Sequence, residues 1–294
     1  MSNYSIYSNL TAVKDYLAHA SPDSSDDAIL LTFIRNASRA IDKYTRRKFY
    51  PRVETRFYNN DNIKTILLDE DLLALQTLKT QSGACTVGSP VMWMQTGEVH
   101  NFPPFNRIVI SDSQGSVLSY SGTPQRSQEV TGTWGYHEDY NNAWLDTGTS
   151  LAVNYTASAP SMNLAGAGSA GTGASDAWGN APRMSVGDLL KIGDQMFHIT
   201  GAGSAATIVN VLPYANGTTA VSHASGASIA KFVYEPDIEF ATRRLAAWSY
   251  AQRQTPYEVR SAFPALGEVT INESLPLDVK ERIERFKRPL IRGL

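Results

Sequence analysis

A chain of 294 residues, 42% hydrophobic and 10% aromatic, is long enough for two domains and too apolar for global disorder. Its one cysteine, Cys85, excludes an internal disulfide framework, and a net charge of −2 lacks the basic excess of a dedicated nucleic-acid binder. The charge is nonetheless sorted: residues 28–58 hold eight Lys/Arg and two Asp/Glu, whereas residues 59–145 hold four and nine. Such opposed balances predict subunits that pair a positive surface with a negative one. The opening MSNYSIYSNL has no basic or apolar signal-peptide region, and no apolar run reaches membrane-spanning length, so no membrane partner is expected. Asn-x-Ser/Thr triplets at Asn9, Asn36, Asn154, Asn216 and Asn272 therefore carry little weight as glycosylation sites.

A short helix is predicted at Thr11–Ala20, with Val13, Tyr16, Leu17 and Ala20 on one face. Asp26 or Asp27 is placed to cap the next helix, Ala28–Arg47, through its side-chain oxygen. Leu30, Ile34, Ala37, Ile41 and Tyr44 form that helix's apolar stripe, and Arg35, Arg39, Lys43 and Arg46 lie opposite. Pro51 stops it, and Val53, Thr55 and Phe57 then alternate with Arg52, Glu54 and Arg56 at strand period. Thr65–Leu68, Leu75–Lys79, Val91–Met94, Arg107–Ile110 and Gln128–Trp134 are further predicted strands, with turns at Asp69–Asp71, Ser82–Gly83, Pro103–Pro104 and Ser121–Pro124. Composition shifts to Gly, Ala, Ser and Thr over 146–182, the lead-in to an inserted module with strands at Asp188–Ile192, Gln195–Thr200, Thr207–Leu212 and Ser228–Val233. Glu235-Pro236-Asp237 starts a helix to Arg253 that buries Ile238, Ala241, Leu245 and Trp248. A last helix from about Pro276 turns Val279, Ile283 and Phe286 inward and ends by Pro289.

These elements predict an α+β fold: a helical bundle core from the two chain ends (1–50 and 235–294), a β-rich segment over 51–145 packed on it, and an inserted small β module over 146–234. No catalytic, cofactor or metal site is expected. GAGSAG at Gly166–Gly171 matches the dinucleotide glycine pattern but lacks the strand and helix that pattern needs. GAGSAA at Gly201–Ala206 reads as a hairpin turn. His19, His100, His137, His198 and His223 have no metal-ligand spacing, and no nucleophile elbow exists. Asp69-Glu70-Asp71 reads as a solvated turn, Trp134 as a core aromatic, and Arg35/Arg39/Lys43/Arg46 as a solvated face, a subunit interface or a lumen surface. Arg282, Arg285, Lys287, Arg288 and Arg292, with the following PLIRGL composition, suit partner docking.

In order along the chain, AIDKYTRRKFYP, VETRFY, ILLDEDLLAL, NFPPFNRIVIS, VTGTWGY, RRLAAWSYAQR and LPLDVKERIERFKRP resemble the head–tail connector (neck adaptor) proteins of tailed bacteriophages. The inserted VGDLLKIGDQMFHIT resembles a small β module of several phage structural proteins, from which Gln195 and Pro213-Tyr214 depart. The resemblance implies a structural virion protein of the neck, present in host cytoplasm during assembly. It implies a homo-oligomeric ring of twelve beneath the portal, tail or nozzle proteins bound below, and DNA passing through the lumen without sequence-specific binding. Arg285, Lys287, Arg288 and Arg292 would face the portal, and Arg35, Arg39, Lys43 and Arg46 a subunit interface or the lumen. A second reading is glycan or surface binding through the inserted module, with Trp144, Trp178 and Tyr214. A third is a hydrolase around His137, Glu138 and Asp139.

Overall fold

The computed structural model describes residues 5–18, 24–60, 64–80, 83–85, 92–95, 102–110, 118, 120, 122–165, 175, 183–205, 207–253 and 275–288. The chain is mostly β. Helices α1 (Leu10–Tyr16) and α2 (Asp27–Thr45) precede strands β1 (Arg52–Tyr58), β2 (Thr65–Thr80), β3 (Gly83–Cys85), β4 (Met92–Gln95), β5 (Phe105–Ile110) and β6 (Gln128–Trp134). The second sheet follows, with β7 (Trp144–Ser150), β8 (Ser161–Asn163), β9 (Leu189–Ile192), β10 (Gln195–Ala202), β11 (Ile208–Leu212) and β12 (Ser228–Phe232); α3 (Pro236–Gln252) and α4 (Leu277–Glu284) close the described chain.

The expected helical bundle core is not what forms. α1 and α4 span only 7 and 8 residues, too short to build a bundle by themselves. The cluster that buries Leu30, Ile34, Ile41, Ile238, Leu245 and Ile283 also takes in Phe49, Tyr50, Leu189, Met196, Phe232 and Tyr234. The helices thus share their apolar surface with the second sheet and with the Phe49–Tyr50 linker, while the first sheet keeps a core of its own. Asp26 sits at the start of α2 but makes no side-chain cap; its carboxylate receives Tyr250 Oη and faces Arg253, 3.1 Å away. In α1 the side chain of Asn9 does cap, accepting from Ala12 N at 2.8 Å.

The first sheet runs β1–β6–β2–β5–β4, with β3 on β2. The two strands expected on either side of Asp69–Asp71 are one 16-residue strand, β2, whose pairing shifts register between Leu67 and Leu72. Its first part pairs with β5 and its second with β6, so the kink turns one strand between two neighbours. Trp134, fully buried, packs on the inner face with Leu68, Leu72, Leu78, Ile108 and Val130.

The second sheet runs β7–β12–β9–β10–β11–β8, every pair antiparallel. It closes on itself: Leu151, after β7, bridges Leu164, after β8, and Ala165 N donates to Ser150 O at 2.8 Å. The inserted module is therefore a small six-stranded barrel that leaves no open edge along this seam. Strand alternation sorts its side chains. Leu190, Ile192, Phe197 and Ile199 fill the barrel, while Leu189 and Met196 join the helix-side core.

Residues 5–10 tie barrel to body. Ser5, Ile6, Tyr7, Ser8 and Leu10 are buried. Leu10 N donates to Val186 O (3.0 Å), Asn9 Nδ2 to Asp188 Oδ1 (2.9 Å), and Tyr7 N to Ser38 Oγ in α2 (3.1 Å). At Gly187 (φ +99°) a Cβ would strike Ile6, and at Gly217 (φ +80°) it would strike Val53 O, so both glycines permit close approach of barrel and body.

Because Phe197 is fully buried and meets Tyr155 edge-on at 5.4 Å, Phe197→Ala is expected to cost about 3–5 kcal/mol, read by urea denaturation.

Candidate functional site: a charged junction at the kink of β2

The β2 kink carries three carboxylates in a row, and three other segments bring cations to it. Arg47 and Lys48 come from the exit of α2, Arg52 and Arg56 from β1, and Arg288 from the residues after α4. Arg47 lies 3.3 Å from Asp71 and Lys48 3.8 Å from Glu70. Arg52 pairs with Glu70 and, at 2.6 Å, with Glu54. Arg56 reaches Glu54 at 2.7 Å and Asp69 at 2.8 Å, and also pairs with Glu70. Arg288 holds the C-terminal segment in place: its N–H donates to Thr45 O (2.8 Å) and Nη2 to Leu68 O (2.9 Å).

Aromatic rings back the cations. The Arg56 guanidinium lies 4.3 Å from the Trp134 ring and that of Arg47 4.0 Å from Tyr136. Tyr58 stacks on Trp134 and donates to Asp69, and Trp134 Nε1 donates to Glu54 O at 3.0 Å. The Arg52 side chain is only 4% exposed and that of Asp71 9%. In such places ion pairs are weakly screened, and removal of one partner strands a charge. Burial pushes the Asp71 carboxyl up, against the pull of Arg47 and Arg288. For Glu54, hydrogen bonds and charge from Arg56 and Arg52 outweigh burial and hold its carboxyl below the ordinary value.

The acidic triplet is therefore neither a solvated turn nor a cation site. Much of the opposed charge of 28–58 and 59–145 meets inside one chain. The expectation that it pairs between subunits loses that ground.

The site residues expected from sequence are not gathered in one place. Arg35, Lys43 and Arg46 are exposed on or just after α2, and Arg46 ends the helix in a left-handed turn (φ 57°). Arg39 faces inward: it pairs with Asp42 (3.1 Å), donates to Ser5 O (2.8 Å) and lies over Tyr7 and Tyr50. Arg285 is paired with Asp237 (2.9 Å), and Lys287 with Glu284 (3.2 Å) while lying over Tyr44. Arg292, His19, His100, Trp178 and the Gly166–Gly171 motif lie outside the described residues. Of the aromatics proposed for surface binding, Trp144 packs against Phe232 and Lys191, and Tyr214 is 50% exposed on the barrel.

His137, the centre of the hydrolase reading, is held by backbone on both ring nitrogens. Nε2 donates to Val233 O at 3.0 Å and Nδ1 accepts from Asp139 N at 3.0 Å. His198 meets Ser5 Oγ at 3.1 Å, a Ser–His contact, but both residues are buried, Ser5 completely, and burial lowers the imidazole to about 4. It joins the N-terminal segment to the barrel. Among the described residues no group of three His, Cys, Asp or Glu side chains could hold a metal, and no helix is long and apolar enough to cross a membrane.

Sequence reasoning missed this junction and a second buried cluster beside it, Tyr7–Asp42–Arg39–Tyr50. Tyr7 Oη donates to Asp42 and accepts from Phe49 N at 3.0 Å. The available signal was alternation in Arg52-Val-Glu54-Thr-Arg56: three charges on one strand face, matched in sign to the later Asp-Glu-Asp run.

Comparison with known proteins yields no match to a family model, a curated protein or a solved structure.

Arg56→Met keeps bulk but abandons Asp69, Glu54 and Glu70; it is expected to destabilise by about 2–4 kcal/mol in urea denaturation, with little relief from added salt. Burial lifts Asp42 to about 6, against Arg39 and the Tyr7 hydroxyl. An unfolded aspartate titrates near about 3.9, so the native state binds more protons between these values and Asp42 makes stability fall as pH rises through the window. Asp42→Asn should remove a decline of about 2–3 kcal/mol between pH 4 and pH 7, measured by urea midpoints at each pH.

Proposed function

We propose that the chain is a structural virion protein of a phage neck: a head–tail connector subunit that assembles with its own copies into a ring beneath the portal and offers a docking surface to tail proteins. One observation carries the reading. Five of the strings that bear the connector resemblance meet at the β2 kink: Arg47 and Lys48 from AIDKYTRRKFYP, Arg56 from VETRFY, Asp69–Asp71 from ILLDEDLLAL, Trp134 and Tyr136 from VTGTWGY, and Arg288 from LPLDVKERIERFKRP.

Segments from residue 47 to residue 288 are thereby fastened by partly buried ion pairs and stacked rings. That arrangement suits a subunit that must transmit force between two neighbours, and it directs the charged side chains to internal cohesion. The barrel adds a closed unit whose outer surface is available for contacts of its own. The ring size of twelve, the portal, the tail or nozzle partners and the passage of DNA through the lumen come from the resemblance alone.

Negative-stain micrographs of the purified protein mixed with its portal are expected to show a collar of subunits beneath the portal. A mixture that stays as separate portal rings and single subunits, at micromolar concentration and low salt, would overturn the proposal. Deletion of Pro289–Leu294 is expected to weaken portal binding at least tenfold by surface plasmon resonance, with an unchanged melting temperature.

A further inference from the structure

Asn216-Gly217 is the only Asn-Gly pair in the chain. It lies in the tight turn Ala215–Gly217 after β11, at the seam where the barrel meets the N-terminal segment and β1. Both residues are left-handed: Asn216 has φ 54° and ψ 35°, and Gly217 has φ +80°. An asparagine side chain is open to attack by the next backbone nitrogen, most of all before glycine, which has no Cβ to block the approach. The reaction balances with water alone. Gly217 N gives up its proton and bonds to Asn216 Cγ; the Cγ–Nδ2 bond breaks and ammonia carries that proton away. Water then opens the five-membered imide at either carbonyl. One opening leaves aspartate at 216. The other leaves an isoaspartyl link, whose main chain runs through Cβ and Cγ and is one carbon longer.

Two sets of contacts hold this reaction off in the folded chain. Asn216 Oδ1 accepts from Ser5 Oγ at 2.8 Å and lies 3.3 Å from His198 Nε2, which must therefore carry the imidazole hydrogen. Ser5 is fully buried and His198 3% exposed, so Cγ is pinned from the interior side. The backbone is clamped as well. Thr218 N and Oγ1 donate to Ala215 O (3.1 and 2.8 Å), Met196 N donates to Thr218 Oγ1 (3.0 Å), and Gly217 sits so close to Val53 O that a Cβ would strike it. Ring closure needs ψ of Asn216 to open from 35° toward the extended range, and the clamped turn resists that rotation. The leaving nitrogen, Nδ2, is buried and has no hydrogen-bond partner among the described residues. Gly217 is exposed, so water reaches the point where the imide would open.

We propose that Asn216-Gly217 is a latent self-modification site: it deamidates when Ser5 leaves the joint and is held intact while Ser5 and His198 fix Oδ1. The two products act differently. Aspartate keeps an oxygen for Ser5 and sets a carboxylate beside His198. The isoaspartyl link lengthens a turn that Gly217 already fills against Val53, and so pushes the barrel off β1. A passing release of the N-terminal segment is thereby written irreversibly into the joint between barrel and body. The chemistry belongs to the single subunit and is independent of the neck reading.

The test ages the full chain and its Ser5→Ala variant side by side in mildly alkaline buffer. Mass spectrometry follows the tryptic peptide 192–231, which contains Asn216, and isoaspartyl-methyltransferase labelling reads the isoaspartyl product. Ser5→Ala is expected to deamidate at Asn216 at least fivefold faster than the unaltered chain. Equal rates in the two proteins overturn the proposal, as does an unaltered chain that deamidates as fast folded as it does in denaturing urea. Where Ser5→Ala fails to fold by circular dichroism, the unaltered chain decides the matter in urea below its midpoint. A deamidation rate that climbs before the chain unfolds supports local release of the N-terminal segment. A rate that only tracks the globally unfolded fraction overturns it.

Discussion

Three consecutive carboxylates at a kink in a long strand would repel one another and pull the strand toward solvent. Here they hold the fold together because four cations from two other segments pair with them and a fifth, from a third, anchors alongside. Asp69, Glu70 and Asp71 sit where β2 changes register, and Arg47, Lys48, Arg52 and Arg56 pair with them while Arg288 anchors alongside on Leu68 O. Opposite charges in a partly dry place attract strongly, yet each has given up hydration to be there. Aromatic faces offset part of that loss: Arg56 rests on Trp134 and Arg47 on Tyr136, in flat contacts that a guanidinium makes better than an ammonium. The junction thus fixes the exit of α2, the path of β1 and the end of the C-terminal segment by one set of contacts.

The barrel is attached by a different device. Its alternating strands face Leu190, Ile192, Phe197 and Ile199 inward and turn Leu189 and Met196 to the body. Residues 5–10 lie between the two: Tyr7 in the middle binds Ser38 and Asp42 of α2, while Ser5 at one end meets His198 and Asn9 and Leu10 at the other meet Asp188 and Val186. An insertion of this kind is often pictured as a loosely tethered appendage. Here it shares a hydrophobic core with the helices, and removal of the N-terminal segment would expose apolar surface on both.

The functional reading draws its strength from position. Residues that one would nominate for chemistry are held by structural hydrogen bonds: both ring nitrogens of His137 on backbone, and Ser5 Oγ on His198 Nε2 and Asn216. Cations nominated for partner binding, Arg285 and Lys287, are paired within the chain. Arg35, Lys43 and Arg46 remain on the surface, together with the outer face of α4 and the barrel exterior. These are the surfaces a ring-forming subunit would offer to its neighbours.

The sequence by itself determined most of the elements. The 3.6-residue stripe of Leu30, Ile34, Ala37 and Ile41 marked α2, period-two alternation marked β1, and the proline before Asp237 marked the start of α3. Local periodicity is enough for these, because it reflects which face of one segment must leave water. Tertiary structure alone decided what those faces meet. Nothing in the spacing of Asp69-Glu70-Asp71 distinguishes a solvated turn from a kink neutralised by Arg52 and Arg56, because an ion pair depends on distance in space and not along the chain. Nor does any local pattern show that Leu151 bridges Leu164 to close a barrel, or that the helical ends share their core with that barrel and form no bundle. Those outcomes depend on summed apolar area and charge from segments that are not neighbours along the chain, and only the folded chain brings them together.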